Sequence, residues 1–185
     1  MENRADGTVV LRSPQTLMPH ARAVGDWLLH WSERAPDRTF FAERKGDGWR
    51  RLSYRDALLQ VRRIGQALLN LRLSAERPVA ILSDNSVDHA LLALGAMHAG
   101  VPVAPVSPAY SLMSRDYAKL RYIFDLLRPG LVFAAEPERF APALAAVGAS
   151  STPVSDLLET QPGATLEAAL ASLTPDPVAK ILFPS

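Results

Sequence analysis

The alternation of apolar and polar residues is most informative between residues 78 and 110, PVAILSDNSVDHALLALGAMHAGVPVAPVSPAY. Val79 to Leu82 is a short apolar run rich in β-branched residues, which predicts a buried strand. Apolar residues after Val87 recur at helical spacing until Gly100, which suits the left-handed position that closes a helix. A second buried strand is predicted from Val101 to Val106. Because strands joined by a crossover helix usually pair in parallel, the stretch predicts a βαβ unit.

Two local features refine this unit. Pro102 and Pro105 each remove a backbone donor, which favours an edge strand or a short, irregular one. Asp84, Asn85 and Ser86 directly precede the helix, and their side-chain oxygens can accept hydrogen bonds from its free amides. The predicted order is therefore strand, capped helix and short strand.

The amino-terminal part predicts an arm and a helix. Residues 1–20 show no sustained period, which predicts an extended arm. An amphipathic helix is predicted from about Ala23 until Pro36 stops it. Packing is the favoured role of its tryptophans, and stacking on a ligand base is the alternative. Its apolar stripe consists of Val24, Trp27, Leu28 and Trp31.

A hairpin and a long helix are predicted next. Strands from Thr39 to Glu43 and from Trp49 to Leu52 flank the turn pair Asp47 and Gly48. Ser53 stands three residues before Asp56, which approximates a capping box. The following helix has an apolar face of Ala57, Leu58, Val61, Ile64, Leu68 and Leu69. The other face carries arginines, for which we favour a solvated surface over a role in phosphate recognition. They are Arg55, Arg62, Arg63 and Arg72.

The carboxyl-terminal half continues the alternation of helices and strands. Ser114 is the predicted cap of a helix whose apolar residues recur at helical spacing up to Pro129 and Gly130. Residues 150–164 are small and polar, which predicts a loop with at most a short strand at 153–155. The remaining predicted elements are strands at 131–134 and 178–183 and helices at 138–147 and 166–173. This order predicts an open α/β fold, with a mostly parallel sheet covered by helices and a small β-hairpin.

Composition narrows the class of protein. With 48% hydrophobic and 21% charged residues, the 185-residue chain is ordinary globular material. Residues 1–77 hold 14 basic and 9 acidic side chains, and residues 78–185 hold 6 and 10. The arginines are scattered among acids, so a nucleic-acid surface is disfavoured. The absence of cysteine excludes disulfides and favours the cytoplasm. The first residues lack the apolar core of a signal peptide, and glycines and prolines interrupt the longest apolar run, so no membrane partner is expected.

The sequence contains few signs of chemistry. Its glycines form neither the dinucleotide fingerprint nor the Walker phosphate loop. Ser83, Asp84 and His89 are close in sequence, but a hydrolase triad is disfavoured. Asp84 and Asp88 are expected to satisfy helix amides, and His98 is expected to favour a helix carboxyl terminus. No catalytic residue and no metal site are therefore predicted.

Four stretches carry a resemblance to a known family. They are the helix with its tryptophans, the hairpin and cap from Trp49 to Tyr54, residues 78–110, and SPAYSLMSRDYAKLRYIFDLLRPGLVFA at 107–134. Together they resemble the amino-terminal part of the AMP-forming acyl-CoA synthetases, and they are most similar to feruloyl-CoA synthetases. The resemblance covers about Ser13 to Ser185 and includes none of the short catalytic signatures of that family.

The resemblance implies an ATP-dependent carboxylate-CoA ligase that forms an acyl adenylate and then a thioester. ATP, Mg²⁺ and coenzyme A are implied for the full-length parent, and none of them is expected to bind this chain alone. The implied partner is a carboxylic acid substrate, an aromatic or hydroxycinnamic acid such as ferulate. Nucleic acid and membranes are not expected partners.

The end of the sequence bears on this implied activity. In the family, the strand that AKILF at 179–183 resembles leads into a Ser/Thr/Gly-rich, Lys-bearing loop around the ATP phosphates. Ser185 corresponds to an early serine of that loop, whereas Pro184 departs from the threonine usually found before it. Lys180 lies in the strand and does not match the family's catalytic lysine. We expect residues 21–185 to form the amino-terminal α/β subdomain of an AMP-binding ligase, inactive without the remainder.

Two other classes remain open. A freestanding α/β module that binds a small ligand or a partner without catalysis fits the same periodicity. A structural role is the third class, because an apolar final strand without neighbours leaves a sheet edge open to self-association. A reading frame that continues past Ser185 into a Gly-rich, Lys-bearing loop would favour the ligase.

Overall fold

A three-stranded parallel sheet lies at the centre of the fold. The computed structural model describes residues 1–183. Along them lie β1 (Glu2–Asn3), β2 (Val9–Val10), α1 (Val24–Arg34), β3 (Thr39–Lys45), β4 (Gly48–Ser53), α2 (Tyr54–Asn70), β5 (Val79–Leu82), α3 (Val87–His98), β6 (Val103–Val106), α4 (Pro108–Leu112), α5 (Ala118–Leu127), β7 (Leu131–Ala134), α6 (Pro137–Ala146), α7 (Val154–Leu158) and α8 (Ala164–Ser172).

The sheet has the order β6-β5-β7, and both pairings are parallel. Val79 of β5 lies opposite Val103 on one side and Leu131 on the other. All four residues of β5 are 0% exposed. The predicted βαβ unit and the open α/β fold are therefore confirmed.

Each face of the sheet has its own hydrophobic layer, because successive strand residues point to opposite faces. Val79 and Ile81 belong to the cluster that also contains residues of α2, α3, α7 and α8. Ala80 and Leu82 belong to a second cluster, with residues of α5 and α6. The helices thus cover both faces of the sheet, as parallel sheets require.

Close packing of α2 against α3 depends on two glycines. A Cβ atom added at Gly95 would lie 2.5 Å from Cγ2 of Ile64, and one at Gly65 would lie 3.1 Å from the carbonyl oxygen of Gly95. The amino terminus of α2 is capped as predicted, since Oγ of Ser53 accepts a hydrogen bond from N of Asp56 at 3.1 Å. In the described residues no helix is both long and apolar enough to cross a membrane.

The predicted apolar stripe of α1 is only partly correct. Leu28 is buried, but Val24 and Trp27 are 55% and 57% exposed. Gly25, which is not in the predicted stripe, faces the core, because a Cβ atom there would lie 2.9 Å from Nδ1 of His98. The helix therefore docks through its smallest residue, and two of its large apolar side chains remain on the surface.

The predicted turn of the hairpin is wrong by one residue. Lys45 pairs with Gly48, so the loop consists of Gly46 and Asp47. Gly46 has a φ of +58°, a conformation that glycine adopts without steric cost. The arm of residues 1–20 also contains an unpredicted antiparallel pair, β1 with β2.

Several carboxyl-terminal elements differ from expectation. Helix α7 replaces the short strand predicted at 153–155, and α4 was not predicted. Ser114 is not the N-cap residue of α5, because Tyr117 occupies that position with a φ of +53°. Oγ of Ser114 instead accepts a hydrogen bond from the backbone amide of Tyr117. The strand predicted at 178–183 is reduced to a parallel bridge between Lys180 and Val103.

The predicted row of solvated arginines on α2 is also wrong in part. Arg62 forms an ion pair with Glu167 of α8. Nη1 of Arg63 donates to the carbonyl oxygen of Leu158 in α7 at 3.2 Å. Arg62 and Arg63 thus connect α8 and α7 to α2, so these two arginines stabilise the packing of helices.

We predict that Gly100→Val destabilises the fold by about 1–2 kcal/mol or more, because a β-branched residue is strained at positive φ. Gly100 has a φ of +73°, and its added Cβ atom would lie 3.1 Å from Cδ2 of Leu173. Urea denaturation measures the change. Gly48→Val is the matched control, since Gly48 opens a strand and its Cβ atom would meet only the carbonyl oxygen of Lys45, at 3.8 Å. Equal losses of unfolding free energy in the two variants would contradict the assignment of Gly100 as the residue that ends α3.

Candidate functional site

The carboxyl edge of the parallel sheet is the first candidate, because α/β folds bind ligands there, at the point where strand order reverses. In the order β6-β5-β7 this point lies between β5 and β7. Arg139 of α6 lies across this point. Its Nη1 donates hydrogen bonds to Oδ2 of Asp84 at 2.7 Å and to Oε1 of Glu136 at 3.1 Å. The hydrogen bond to Asp84, followed by that to Glu136, raises the pKa of Arg139. This ion-pair group joins the ends of β5 and β7.

The residues around Ser83 do not form a nucleophilic site. Oγ of Ser83 donates to the carbonyl oxygen of Asp84 at 2.5 Å. Nδ1 of His89 lies 3.4 Å from that same oxygen. Burial, opposed by the contact with Asp84 and aided by the charge of Lys180, lowers the pKa of His89. Both side chains are thus directed at the backbone carbonyl of Asp84.

The helix α3 is capped differently from the prediction. Oγ of Ser86 accepts from N of His89 at 3.1 Å, as the sequence suggested. The second acceptor is Glu43 of β3, whose Oε2 accepts from N of Val87 at 2.8 Å. Asp84 and Asp88, expected to satisfy helix amides, instead form ion pairs with Arg139 and Arg50.

Glu43, Arg50 and Asp88 form a clamp between the hairpin and α3. Nη1 of Arg50 lies 3.0 Å from Oε1 of Glu43 and 2.8 Å from Oδ1 of Asp88. Burial acts to lower the pKa of Arg50, but the hydrogen bond to Asp88, followed in size by that to Glu43, outweighs it, so the pKa is raised. Sequence reasoning missed this clamp because its members lie on three separate elements, β3, β4 and α3.

His98 is buried, not a surface charge at a helix end. The residue is 1% exposed, and its Nδ1 has no hydrogen-bond partner among the described residues. Burial is the main cause that lowers its pKa, with a further contribution from Arg62. His98 is therefore held neutral between α1 and α3, which corrects its expected role of stabilising the helix dipole.

A groove runs along the half-buried side of α3, and we call it the α3 groove. Two cavities of about 590 and 270 Å³ form it, and they share Val24 and Met97. Residues 21–24, Trp27, residues 40–43, residues 173–175 and residues 177–180 contribute to the lining. Its floor consists of Ala90, Ala93, Leu94 and Met97.

The predicted phosphate-loop residue cannot be placed, since Ser185 lies outside the described residues. Lys180 is described: it is exposed, bridges to β6 and lines the α3 groove. The described residues contain no group of three or more His, Cys, Asp or Glu side chains arranged to hold a metal ion.

Comparison with known proteins adds a family and a fold. A family model described as AMP-binding enzyme matches residues 28–182. A comparison with curated proteins found no match.

Solved structures share the fold at low sequence identity. A fatty acyl-adenylate ligase from Legionella pneumophila has a TM-score of 0.65 and 14% identity, over 86% of this chain and 27% of that one. The N-terminal domain of FACL13 from Mycobacterium tuberculosis has a TM-score of 0.58 and 22% identity, over 85% and 37%. The NpsA N-terminal subdomain from Klebsiella oxytoca has a TM-score of 0.63 and 18% identity, over 89% and 39%. The chain thus spans between about a quarter and two fifths of these proteins.

The clamp yields a stability prediction. Glu43→Ala removes the acceptor of the Val87 amide and one partner of Arg50, so we expect a loss of about 1–2 kcal/mol. Urea denaturation of the purified chain measures it. Glu33→Ala is the control, because Glu33 is exposed on α1 and has no ion pair among the described residues; it should change stability by less than about 0.5 kcal/mol. If both variants lost the same amount, the clamp would contribute nothing.

His98 yields a prediction of pH dependence. Its pKa in the folded chain lies below the ordinary value of 6.5, so the unfolded chain takes up the proton first as the pH falls. The free energy of unfolding should therefore decrease below about pH 6.5 and be independent of His98 well above it.

The test compares urea denaturation at pH 5.5 and 7.5 for the wild type, His98→Gln and His20→Gln. His98→Gln should reduce the difference between the two pH values. His20→Gln should not, because His20 is exposed. Identical pH dependence in the wild type and His98→Gln would refute a buried, neutral His98.

Proposed function

Because the chain belongs to the AMP-binding enzyme family, we propose that it forms the amino-terminal part of an adenylate-forming carboxylate-CoA ligase. The observation that carries the proposal is the family match over residues 28–182. The shared fold with the N-terminal domains of FACL13 and NpsA agrees with this placement. The activity belongs to a larger protein, to which these residues contribute a sheet and its covering helices.

The proposed reaction has two steps. A carboxylate oxygen of the substrate attacks the α-phosphorus of ATP, the bond to the β-phosphate oxygen breaks, and pyrophosphate leaves. The thiolate of coenzyme A then attacks the acyl carbon, and AMP leaves with the bonding electrons. Negative charge grows on the α-phosphate in the first step, and fixed cations and amide donors must stabilise it. We propose ATP, Mg²⁺ and coenzyme A as the cofactors of the complete ligase.

The direction of the final segment supports this proposal. Lys180 bridges in parallel to Val103, with N of Val103 donating to Ala179 and N of Ile181 donating to Val103. The described segment up to Phe183 therefore runs toward the carboxyl edge of the sheet, where α/β folds bind ligands.

The substrate is proposed to be an aromatic or hydroxycinnamic acid such as ferulate. The support is the resemblance of residues 49–54, 78–110 and 107–134 to feruloyl-CoA synthetases. We further propose a cytoplasmic location, supported by a chain without cysteine. Self-association through the outer edge of residues 178–183 is also proposed, because Val178 and Leu182 are exposed there.

The function is tested by sequencing the coding region past codon 185 and assaying ATP-pyrophosphate exchange. We expect the frame to continue into a Ser/Thr/Gly-rich, Lys-bearing loop, and the complete product to exchange pyrophosphate in the presence of ferulate. The 185-residue chain alone should show no exchange, because its sequence contains no Ser/Thr/Gly-rich, Lys-bearing loop whose amides and ammonium group could surround the phosphates.

The outcomes separate the parts of the proposal. Exchange with a fatty acid but not with ferulate would support the proposed ligase activity and contradict the proposed substrate. A frame without such a loop would favour the freestanding binding module. Exchange by the 185-residue chain alone would overturn the assignment of these residues as an inactive part.

A further inference from the structure

Helix α1 is held to the rest of the fold by few buried side chains. Its buried residues are Gly25 and Leu28, so a single large apolar side chain anchors it in the core. Just before the helix, Arg22 donates hydrogen bonds to the carbonyl oxygens of Ala171 and Leu173. Elements with few buried apolar contacts open locally at a lower free energy than the core does. We therefore expect α1 to be one of the first helices to open.

The side of α1 that faces the core meets the ring of His98. A Cβ atom at Gly25 would lie 2.9 Å from Nδ1 of that ring, so the backbone of the helix covers this nitrogen. His98 is 1% exposed, and its Nδ1 has no hydrogen-bond partner among the described residues. In a neutral imidazole one nitrogen carries no proton, whereas in an imidazolium both nitrogens are donors. Protonation would therefore leave a buried donor at Nδ1 without an acceptor.

The charged side chains that act on His98 are already paired with one another. Asp26 of α1 is paired with Arg22, and Glu167 of α8 is paired with Arg62 of α2. Helix α3 itself contributes no further charge, since the residues between its two histidines are apolar or glycine. Each carboxylate is thus engaged by a guanidinium, and both guanidiniums oppose another positive charge. An imidazolium at this position would need water as its acceptor.

We propose that protonation of His98 releases α1 from α3, so that the fold has a closed form at neutral pH and an open form in acid. Gly25 covers Nδ1, so hydration of the charged ring requires the helix to move away. The release also opens the cavity of about 270 Å³ that Trp27 and Met97 line from the two helices. This device goes beyond the proposed function, since it depends on none of the ligase chemistry.

Linkage fixes the direction and the size of the effect. Burial, with a further contribution from Arg62, holds the pKa of His98 below 6.5 in the closed form. An open form with an ordinary histidine takes up the proton first as the pH falls, so acid favours opening. The effect is lost well above pH 6.5. Between pH 7.5 and pH 5.5 this one group increases the open population by at most about tenfold.

The test is hydrogen exchange of the 185-residue chain at pH 5.5 and 7.5, at several low urea concentrations and corrected for intrinsic exchange. Amides of residues 28–34 should exchange through local opening, with little dependence on urea. Their protection should be severalfold lower at pH 5.5, up to the tenfold limit. His98→Gln should remove this pH dependence of α1. His20→Gln is the matched control and should retain it, because His20 is exposed.

A second variant tests the contact without a titrating group. Gly25→Ala places a methyl group against Nδ1, so α1 should open even at pH 7.5, although alanine is the better helix former. The protection of residues 28–34 should fall severalfold. Glu33→Ala, on the exposed side of the same helix, is the control and should keep the wild-type protection. Amides of β5 report whether each variant remains folded, and the comparison with His98→Gln stands even if Gly25→Ala unfolds.

Four results would overturn the proposal. They are equal protection of α1 at the two pH values, a pH dependence of α1 that persists in His98→Gln, α1 amides with the same urea dependence as those of β5, and equal protection of α1 in Gly25→Ala and Glu33→Ala at pH 7.5. The third result would mean that the helix opens only when the whole chain unfolds. None of these results affects the assay of ATP-pyrophosphate exchange, so the two proposals fail separately.

Discussion

The complete burial of β5 is the constraint on which the rest of the structure depends. Its backbone pairs with β6 and β7 on both edges, and its side chains enter separate clusters on both faces. Because parallel neighbours require crossover connections, α3 must link β5 to β6, and a second crossover through α4 and α5 must pass to the other side of β5. Gly65 and Gly95 let α2 and α3 pack closely on the side of the sheet to which Val79 and Ile81 point.

Charged side chains outside this core join the elements around the sheet through ion pairs. Arg139 joins the ends of β5 and β7, and Arg50 joins the hairpin to α3. In both groups the carboxylates near the carboxyl edge are already paired. The described residues therefore supply a framework for the proposed ligase, and the segment up to Phe183 runs toward the edge where nucleotide chemistry is proposed.

The sequence was most predictive where local pattern and burial agree. Val79 to Leu82, the cap at Ser53 and the terminator Gly100 are set by short-range chemistry, and all three were predicted correctly. The errors arise where distant residues decide. Gly25 and not Trp27 docks α1, because His98 lies opposite, and Glu43 caps α3 from a strand more than forty residues earlier. No local pattern records such contacts, and the site residue Ser185 stays a prediction.

Hydrogen exchange in the native chain, followed as urea is increased, tests the central role of β5 most directly. Amides of Val79 to Leu82 should exchange only through global unfolding, with a urea dependence equal to that of the whole chain. Amides of Val9 and Val10, in the two-residue pair of the arm, should exchange through local opening with little dependence on urea. Exchange of the β5 amides by such local opening would contradict a structure built around this strand.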